Sequence, residues 1–293
     1  MSSILVTGAN GQLGREFQVL AERYAGFAFT FTNRQVLDVT DEPAVFQFFT
    51  HNRFDYCINC AAYTAVDRAE SEPDAARLGN VDAARWLAEG CARQGIPLIH
   101  YSSDYVYHNA QNIPLQEGDA TTPRSVYAIT KLEGEQAVRA SNPLTMILRT
   151  SWVYSSFGHN FVKTMLRLGR ERESLGVVFD QVGSPTYARG LAQATLDILT
   201  KVDKGEVPKE LLSGIYHYSD EGVCSWYDFA LAIFEIAGID CKVLPIETKD
   251  YPLPAHRPPY SVLNKSKIKA VWGLELKHWR ERLRECLGVI AKT

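Results

Sequence analysis

Through the first half of the chain, short apolar runs alternate with longer stretches whose apolar residues recur every three or four positions. Runs such as Ile4-Leu5-Val6 suit strands buried on both faces, and the three-to-four spacing suits amphipathic helices. The pattern predicts strands over 4–7, 27–32, 55–60, 97–102 and 144–149. Between them it predicts helices over 12–24, 42–50, 72–93 and 126–140. Asp41 precedes the second helix as an N-cap, and Pro73 stands in the first turn of the third. Strands separated by helices make βαβ units. The expected class is therefore α/β, a doubly wound parallel sheet with a ligand crevice at the carboxyl ends of its strands.

Beyond residue 150 the regularity loosens. Helices are expected over 160–172, 191–200, 226–237 and 276–287, strands over 176–179 and 214–218, and an irregular proline-rich stretch over 242–263. This reads as a first, nucleotide-binding domain over 1–150 and a smaller interleaved domain over 151–293 for substrate. Segments near 174–180 and 213–238 are candidates to return to the first domain.

With 46% hydrophobic and 22% charged residues in 293 positions, the chain has the make-up of a soluble globule with one large core or two unequal ones. A net charge of -3 argues against a nucleic-acid partner. No apolar run reaches the ~20 residues of a membrane span, and the first residues lack a signal-peptide pattern, so a cytoplasmic protein is expected. Cys57 and Cys60 form a C-x-x-C, but they lie in a run read as a buried strand, and no second pair completes a metal site.

Gly8, Gly11 and Gly14 give the spacing G-x-x-G-x-x-G between a strand and a helix, the context of a dinucleotide site. Gly8 permits the tight turn, Gly11 lets backbone approach a pyrophosphate, and Gly14 lets helix and sheet close up. Asn10, Gln12 and Leu13 complete the loop and the helix start, whose N–H groups favour phosphate. The second strand ends Thr32-Asn33-Arg34 with no carboxylate, so Arg34 favours NADP(H), with NAD(H) left open. Asp38 and Val39 stand where they can flank the adenine. Small residues after the third strand, Ala61 and Ala62, with Tyr63 and Thr64, suit a surface against which a ribose and nicotinamide lie. Asn80 fits either a tie to that loop or helix packing. Tyr127 and Lys131 lie four apart on one helix face, where an ammonium favours the phenolate.

The glycine loop, Ser103 and the Tyr127/Lys131 pair resemble the extended short-chain dehydrogenase/reductases, a Rossmann-type fold. Further segments narrow the likeness: Ala61 to Asp67 with Ala69-Glu70-Ser71-Glu72, Ser103 to Tyr107, Arg149 to Tyr154, Asn160-Phe161-Val162, Asp180 to Thr186, and Arg257-Pro258. These are similar to the dTDP-4-dehydrorhamnose reductases, and the resemblance covers essentially the whole chain. It implies reduction of the C4 ketone of a dTDP-keto-sugar to give dTDP-L-rhamnose, with Tyr127 as proton donor, Lys131 as its cationic neighbour and Ser103 orienting the carbonyl. It further implies Trp152 as an apolar wall to the sugar and Arg257 as a fork for the diphosphate. Asn160, Gln181 and Thr186 are implied as polar substrate contacts, and Asp104 fits either a substrate contact or a turn cap.

Two departures carry information. Related dehydratases have Asp-Glu where this chain has Asp104-Tyr105, which disfavours water elimination. Some relatives join subunits through magnesium held by glutamates; Glu16 matches one ligand, but Arg189 stands at another. No required metal is therefore expected, and a monomer or weak homodimer. The rival readings are a cofactor-binding regulatory subunit like that of methionine adenosyltransferase, and a reductase or epimerase of another nucleotide sugar.

Overall fold

The computed structural model describes residues 1–108 and 111–292. A six-stranded parallel sheet forms its centre. β1 (Ser2–Thr7) pairs with β2 (Phe27–Phe31) on one side and β3 (Tyr56–Asn59) on the other, followed by β4 (Leu98–Ser103), β5 (Thr145–Thr150) and the Gly214–His217 strand. The order reverses between β1 and β3, so a crevice opens at their carboxyl ends. This is the Rossmann-type doubly wound arrangement.

Strand burial follows from two covered faces. Tyr56 to Asn59 are all buried, as are Thr145 to Thr150. One face packs Ile4, Val6, Ile58 and Leu148 against α1 (Gln12–Ala21) and the Ala188–Asp203 helix. The other packs Leu5, Cys57, Leu98 and Ile147 against α2 (Glu42–His51) and the Ala83–Gln94 helix. Asp41 caps α2 through a 3.0 Å bond from the Ala44 amide. Cys57 lies buried and free in the second core, while the free Cys60 borders the first. The C-x-x-C thus straddles the sheet as small apolar residues.

A third core gathers the Phe161–Glu171, Trp226–Ala237 and Trp279–Ile290 helices. Of the two segments read as possible returns, Gly214–His217 joins the main sheet beside β5, whereas Ser174–Val178 pairs with Lys242–Ile246 in a separate two-stranded ribbon. That ribbon corrects the expectation of irregular chain from 242. Pro245 fits because the two-stranded ribbon has only edge strands. The helix expected over 72–93 is also corrected. It runs as Pro73–Arg77, a π turn at Leu78–Asp82, and Ala83–Gln94. π turns often mark functional sites, and this one carries Asn80. The last helix begins at Trp279, three residues later than expected, with His278 as its N-cap. Among the described residues no helix is long and apolar enough to cross a membrane.

Candidate active site

The nucleotide crevice is set by backbone that tolerates no side chain. Gly8, just beyond β1, has φ +65°, and a Cβ there would sit 2.6 Å from the Ala61 nitrogen beyond β3. A Cβ on Gly14 would meet the Gly8 carbonyl oxygen at 2.5 Å. Gly11 has more room, its nearest neighbour being the Gly8 oxygen at 3.3 Å. It is the N-cap of α1 and contributes no side-chain hydrogen bond. The first-turn N–H groups of α1 thus lack a side-chain acceptor and suit an anion. Asn10 and Gly11 are exposed, Gln12 and Leu13 half-buried, Ala62 and Thr64 exposed, and Ala61 and Tyr63 half-buried, an open surface for a cofactor. Asn80 pins that surface. Its side chain accepts from the Tyr63 amide at 2.9 Å and donates to the Tyr63 carbonyl and the Thr130 hydroxyl, each at 3.1 Å.

At the far end of the crevice the Arg34 side chain is 79% exposed, and its Nε donates to Asp38 at 3.0 Å. Burial pushes the Asp38 carboxyl up, but bonds from Thr40 and Arg34 outweigh it and hold the group below its usual range. Val39 is half-buried against the core beneath. The site therefore has the tight turn, the open helix end and the cationic edge that NADP(H) requires, and these residues fit that cofactor.

The trio implied as catalytic comes from two elements. Ser103 ends β4, and Tyr127 and Lys131 lie on the Val126–Ser141 helix, which Ser125 caps by accepting from the Ala128 amide at 3.2 Å. The Ser103 hydroxyl donates to Asp104 at 2.9 Å and accepts from the Tyr105 amide at 3.1 Å. Burial pushes the Tyr127 phenol up to about 12; a bond with Ser103 pulls it partly back, and Asp104 adds to the rise. The phenol is thus raised, not lowered as its pairing with Lys131 led one to expect. Lys131 Nζ donates instead to the Tyr101 carbonyl at 2.7 Å. Burial lowers the ammonium to about 8, opposed by Glu135 one turn along the helix. Glu135 is itself held by Arg149, whose Nε and Nη2 lie 2.9 and 2.6 Å from its two oxygens.

Asp104 is only 1% exposed. Burial raises its carboxyl to about 7, against the pull of the Ser261 and Ser103 hydroxyls. Ser261 connects this corner to Trp152, since both crowd the position where Gly183 lacks a Cβ. Trp152 has φ +48°, the only non-glycine residue of positive φ among the described residues. Such a conformation costs ~1–3 kcal/mol and persists where the surroundings impose it. Here Trp152 stacks flat on Trp226, with ring centres 3.6 Å apart.

A cleft of about 430 Å³ runs from Trp226 and Phe161 to Arg257 and Asp67, with Gln181 on its wall. Arg257 makes a bidentate pair with Asp67 at 2.7 and 3.0 Å. Tyr105 links the cleft to the trio: its ring packs edge-on to Tyr127, with centres 5.7 Å apart, and its environment includes the Arg257 charge. Asn160 and Thr186, also implied as substrate contacts, are not among the residues that line this cleft. Asn160 caps the Phe161–Glu171 helix and donates to Gln12 at 2.9 Å. Thr186 is wholly buried and accepts from the Thr150 hydroxyl at 3.4 Å. Asp67, Tyr105, Trp226 and Ser261 went unread in the sequence as site residues. Asp67 and Tyr105 lie inside motif segments, but nothing local marks Trp226 or Ser261.

Beneath the remaining surface, Arg189 Nε lies 2.7 Å from Glu16, which also accepts from the Ser155 hydroxyl. Among the described residues, no group of three or more His, Cys, Asp or Glu side chains could share a metal ion.

Comparison with known proteins gives the same picture over the full length. The family described as RmlD substrate binding domain matches residues 1–291. A dTDP-4-dehydrorhamnose reductase of Aggregatibacter actinomycetemcomitans is 40% identical, covering 97% of this chain and 98% of its own. The crystal structure of a dTDP-4-dehydrorhamnose reductase from Clostridium acetobutylicum superposes with a TM-score of 0.91 at 41% identity, covering 99% of each chain. One from Bacillus anthracis, solved in complex with NADP, gives 0.90 at 36%, covering 98% of this chain and 99% of its own. With the Rossmann-type sheet, the glycine crevice and these matches, the chain belongs to the RmlD substrate-binding family, that of the dTDP-4-dehydrorhamnose reductases, NAD(P)H-dependent oxidoreductases.

Proposed function

We propose that this chain reduces the C4 ketone of dTDP-4-dehydro-L-rhamnose to give dTDP-L-rhamnose, using NADPH in preference to NADH. The observation that carries the reading is the bond between Ser103 and Tyr127, with Lys131 one turn along the Tyr127 helix and Tyr105 packed edge-on to Tyr127. Bound NADP(H) supplies the hydride. Tyr127 holds a proton at neutral pH, because burial keeps its phenol neutral, and gives it to the developing alkoxide. Ser103 turns its hydroxyl toward the carbonyl oxygen and orients it. Lys131, on the Tyr127 helix and tied to the Tyr101 carbonyl, supplies positive charge that favours the phenolate left behind. Trp152 walls the sugar, Gln181 lies within reach of it, and Arg257 meets the diphosphate. Asp104 shapes the same corner through Ser103.

Arg34 carries the NADP(H) preference, as an exposed cation at the ribose end of the crevice. The reaction needs no metal in this reading. Arg189 already places a cation on Glu16, where a shared ion would need an acid instead. The protein works as a monomer or weak homodimer in the cytoplasm, with a dTDP-sugar as its partner and neither nucleic acid nor membrane. The test is a coupled assay that makes the dTDP-4-dehydro-sugar in situ and follows NADPH oxidation. Turnover is expected; tight NADPH binding without turnover would reject the reading.

A further inference from the structure

The Nη1–Nη2 edge of Arg257 is not free to receive a diphosphate. Its Nη1 and Nη2 both face the Asp67 carboxylate, at 3.0 and 2.7 Å. Asp67 lies in the Val66–Ala69 helix, just past β3 on the nucleotide side. Arg257 belongs to the proline-rich segment far along the chain, so the pair ties two distant segments together at one end of the cleft. The same carboxylate accepts from the Ala255 amide at 3.3 Å, and Arg257 Nη1 also donates to the Ala255 carbonyl at 3.0 Å. Burial pushes the Asp67 carboxyl up, but the bonds from Arg257 and Ala255 and the Arg257 charge outweigh it. Asp67 is therefore ionised at neutral pH, and the pair has no net charge. It is not sealed either, since the side chains keep 17% and 37% of their exposure.

A carboxylate and a phosphate engage a guanidinium in the same two-bond geometry. One edge of Arg257 cannot serve both anions. We propose that Asp67 is an internal competitor: it occupies Arg257 while the cleft is empty and yields it to the substrate's diphosphate. The proposal rests on the reading of Arg257 as the diphosphate receptor. The apparent affinity for any nucleotide that needs this edge is reduced by the fraction of molecules in which Arg257 is engaged. The factor is the same for dTDP and dTMP, because it belongs to the free protein.

Calorimetric titration of the NADPH-bound protein with dTDP and with dTMP tests this. Asp67→Asn should bind dTDP and dTMP tighter by a similar factor, roughly 5- to 20-fold, the lower part of the range for coupled sites, leaving the ratio between them unchanged. Arg257→Ala should weaken dTDP, and the double variant should match it, showing no gain from the loss of Asp67. Unchanged or weaker dTDP binding by a folded Asp67→Asn, with Arg257→Ala still impaired, would overturn the competition and leave Arg257 as the receptor. Equal dTDP binding by wild type and Arg257→Ala would remove the receptor itself. Asp67→Ser repeats the measurement should Asp67→Asn misfold. Collapse of both would make Asp67 a structural tie and would also overturn the proposal.

Discussion

The two sides of the active site are built by opposite means. The nucleotide side depends on what is missing: Gly8 and Gly14 have no Cβ because backbone lies 2.6 and 2.5 Å from where one would sit. The substrate side depends on large groups meeting across the molecule. Trp152 stacks on Trp226, and Arg257 reaches Asp67. Absence of a side chain is a local requirement that a loop either meets or fails. A stack or an ion pair is a relation between distant segments, and each half is ordinary by itself. The difference teaches that the glycine crevice is shaped by exclusion, whereas the cleft is shaped by contacts between distant segments.

Five measurements break or sharpen that contrast. The largest effect belongs to the point where the sides meet. Tyr127→Phe should lower kcat by ~10²–10⁴-fold, the usual worth of a general acid, while NADPH titration shows unchanged binding; near-normal turnover would remove the proton donor. Next, on the excluded side, Gly8→Ala should destabilise the fold by ~2–4 kcal/mol through backbone strain and overpacking and abolish NADPH binding. Gly11→Ala, with only a 3.3 Å approach to accommodate, should cost far less in the same denaturation series. Equal costs would mean that close approach does not govern this side.

The buried Asp104 gives a pH signature. Its carboxyl ionises near 3.8 unfolded and near 7 folded. Between those values the native state binds more protons, so stability falls as pH rises, and above pH 7 the loss is complete. A gap of that size is worth at most ~4 kcal/mol. Asp104→Asn should therefore melt higher than wild type at pH 8 and equal to it near pH 4. A constant offset in calorimetric scans would show that ionisation is not the cause.

On the contact side, Trp226→Ala should raise KM for the sugar nucleotide by ~10-fold through loss of the aromatic partner of Trp152, with the Kd for NADPH intact. A matching loss of NADPH affinity would join the two sides into one unit. The smallest effect is expected at the exposed Arg34, whose alanine variant should weaken NADPH a few-fold more than NADH in parallel titrations. Equal weakening would end the case for a 2′-phosphate contact.

How much was legible in the sequence follows the same division. The strands of the central sheet show as apolar runs because both faces are covered, and observed boundaries moved by only a residue or two. The π turn at Leu78–Asp82 was invisible, because the segment keeps ordinary helical composition while one added residue per turn swings Asn80 toward Tyr63. The Lys242–Ile246 strand was hidden by Pro245, a residue that reads as a breaker unless the partner strand is known. Asn160 and Thr186, read as substrate contacts, place their polar groups on a helix cap and a buried hydroxyl. Tyr127 and Lys131 were legible as a pair, but the direction of the phenol shift was not. It depends on burial and on Asp104, neither of which spacing reveals.

The sequence by itself therefore determined the parallel sheet, the glycine turn and the Tyr-x-x-x-Lys face. Each rests on periodicity or on the size of a residue at a fixed offset, and both are local properties of the chain. Only the tertiary structure decided that Trp152 is strained onto Trp226, that Asp104 is a buried carboxyl near neutrality, and that Arg257 is already engaged by Asp67. Those facts concern dielectric surroundings and contacts between residues as far as 190 positions apart, and such quantities exist only once the chain has folded.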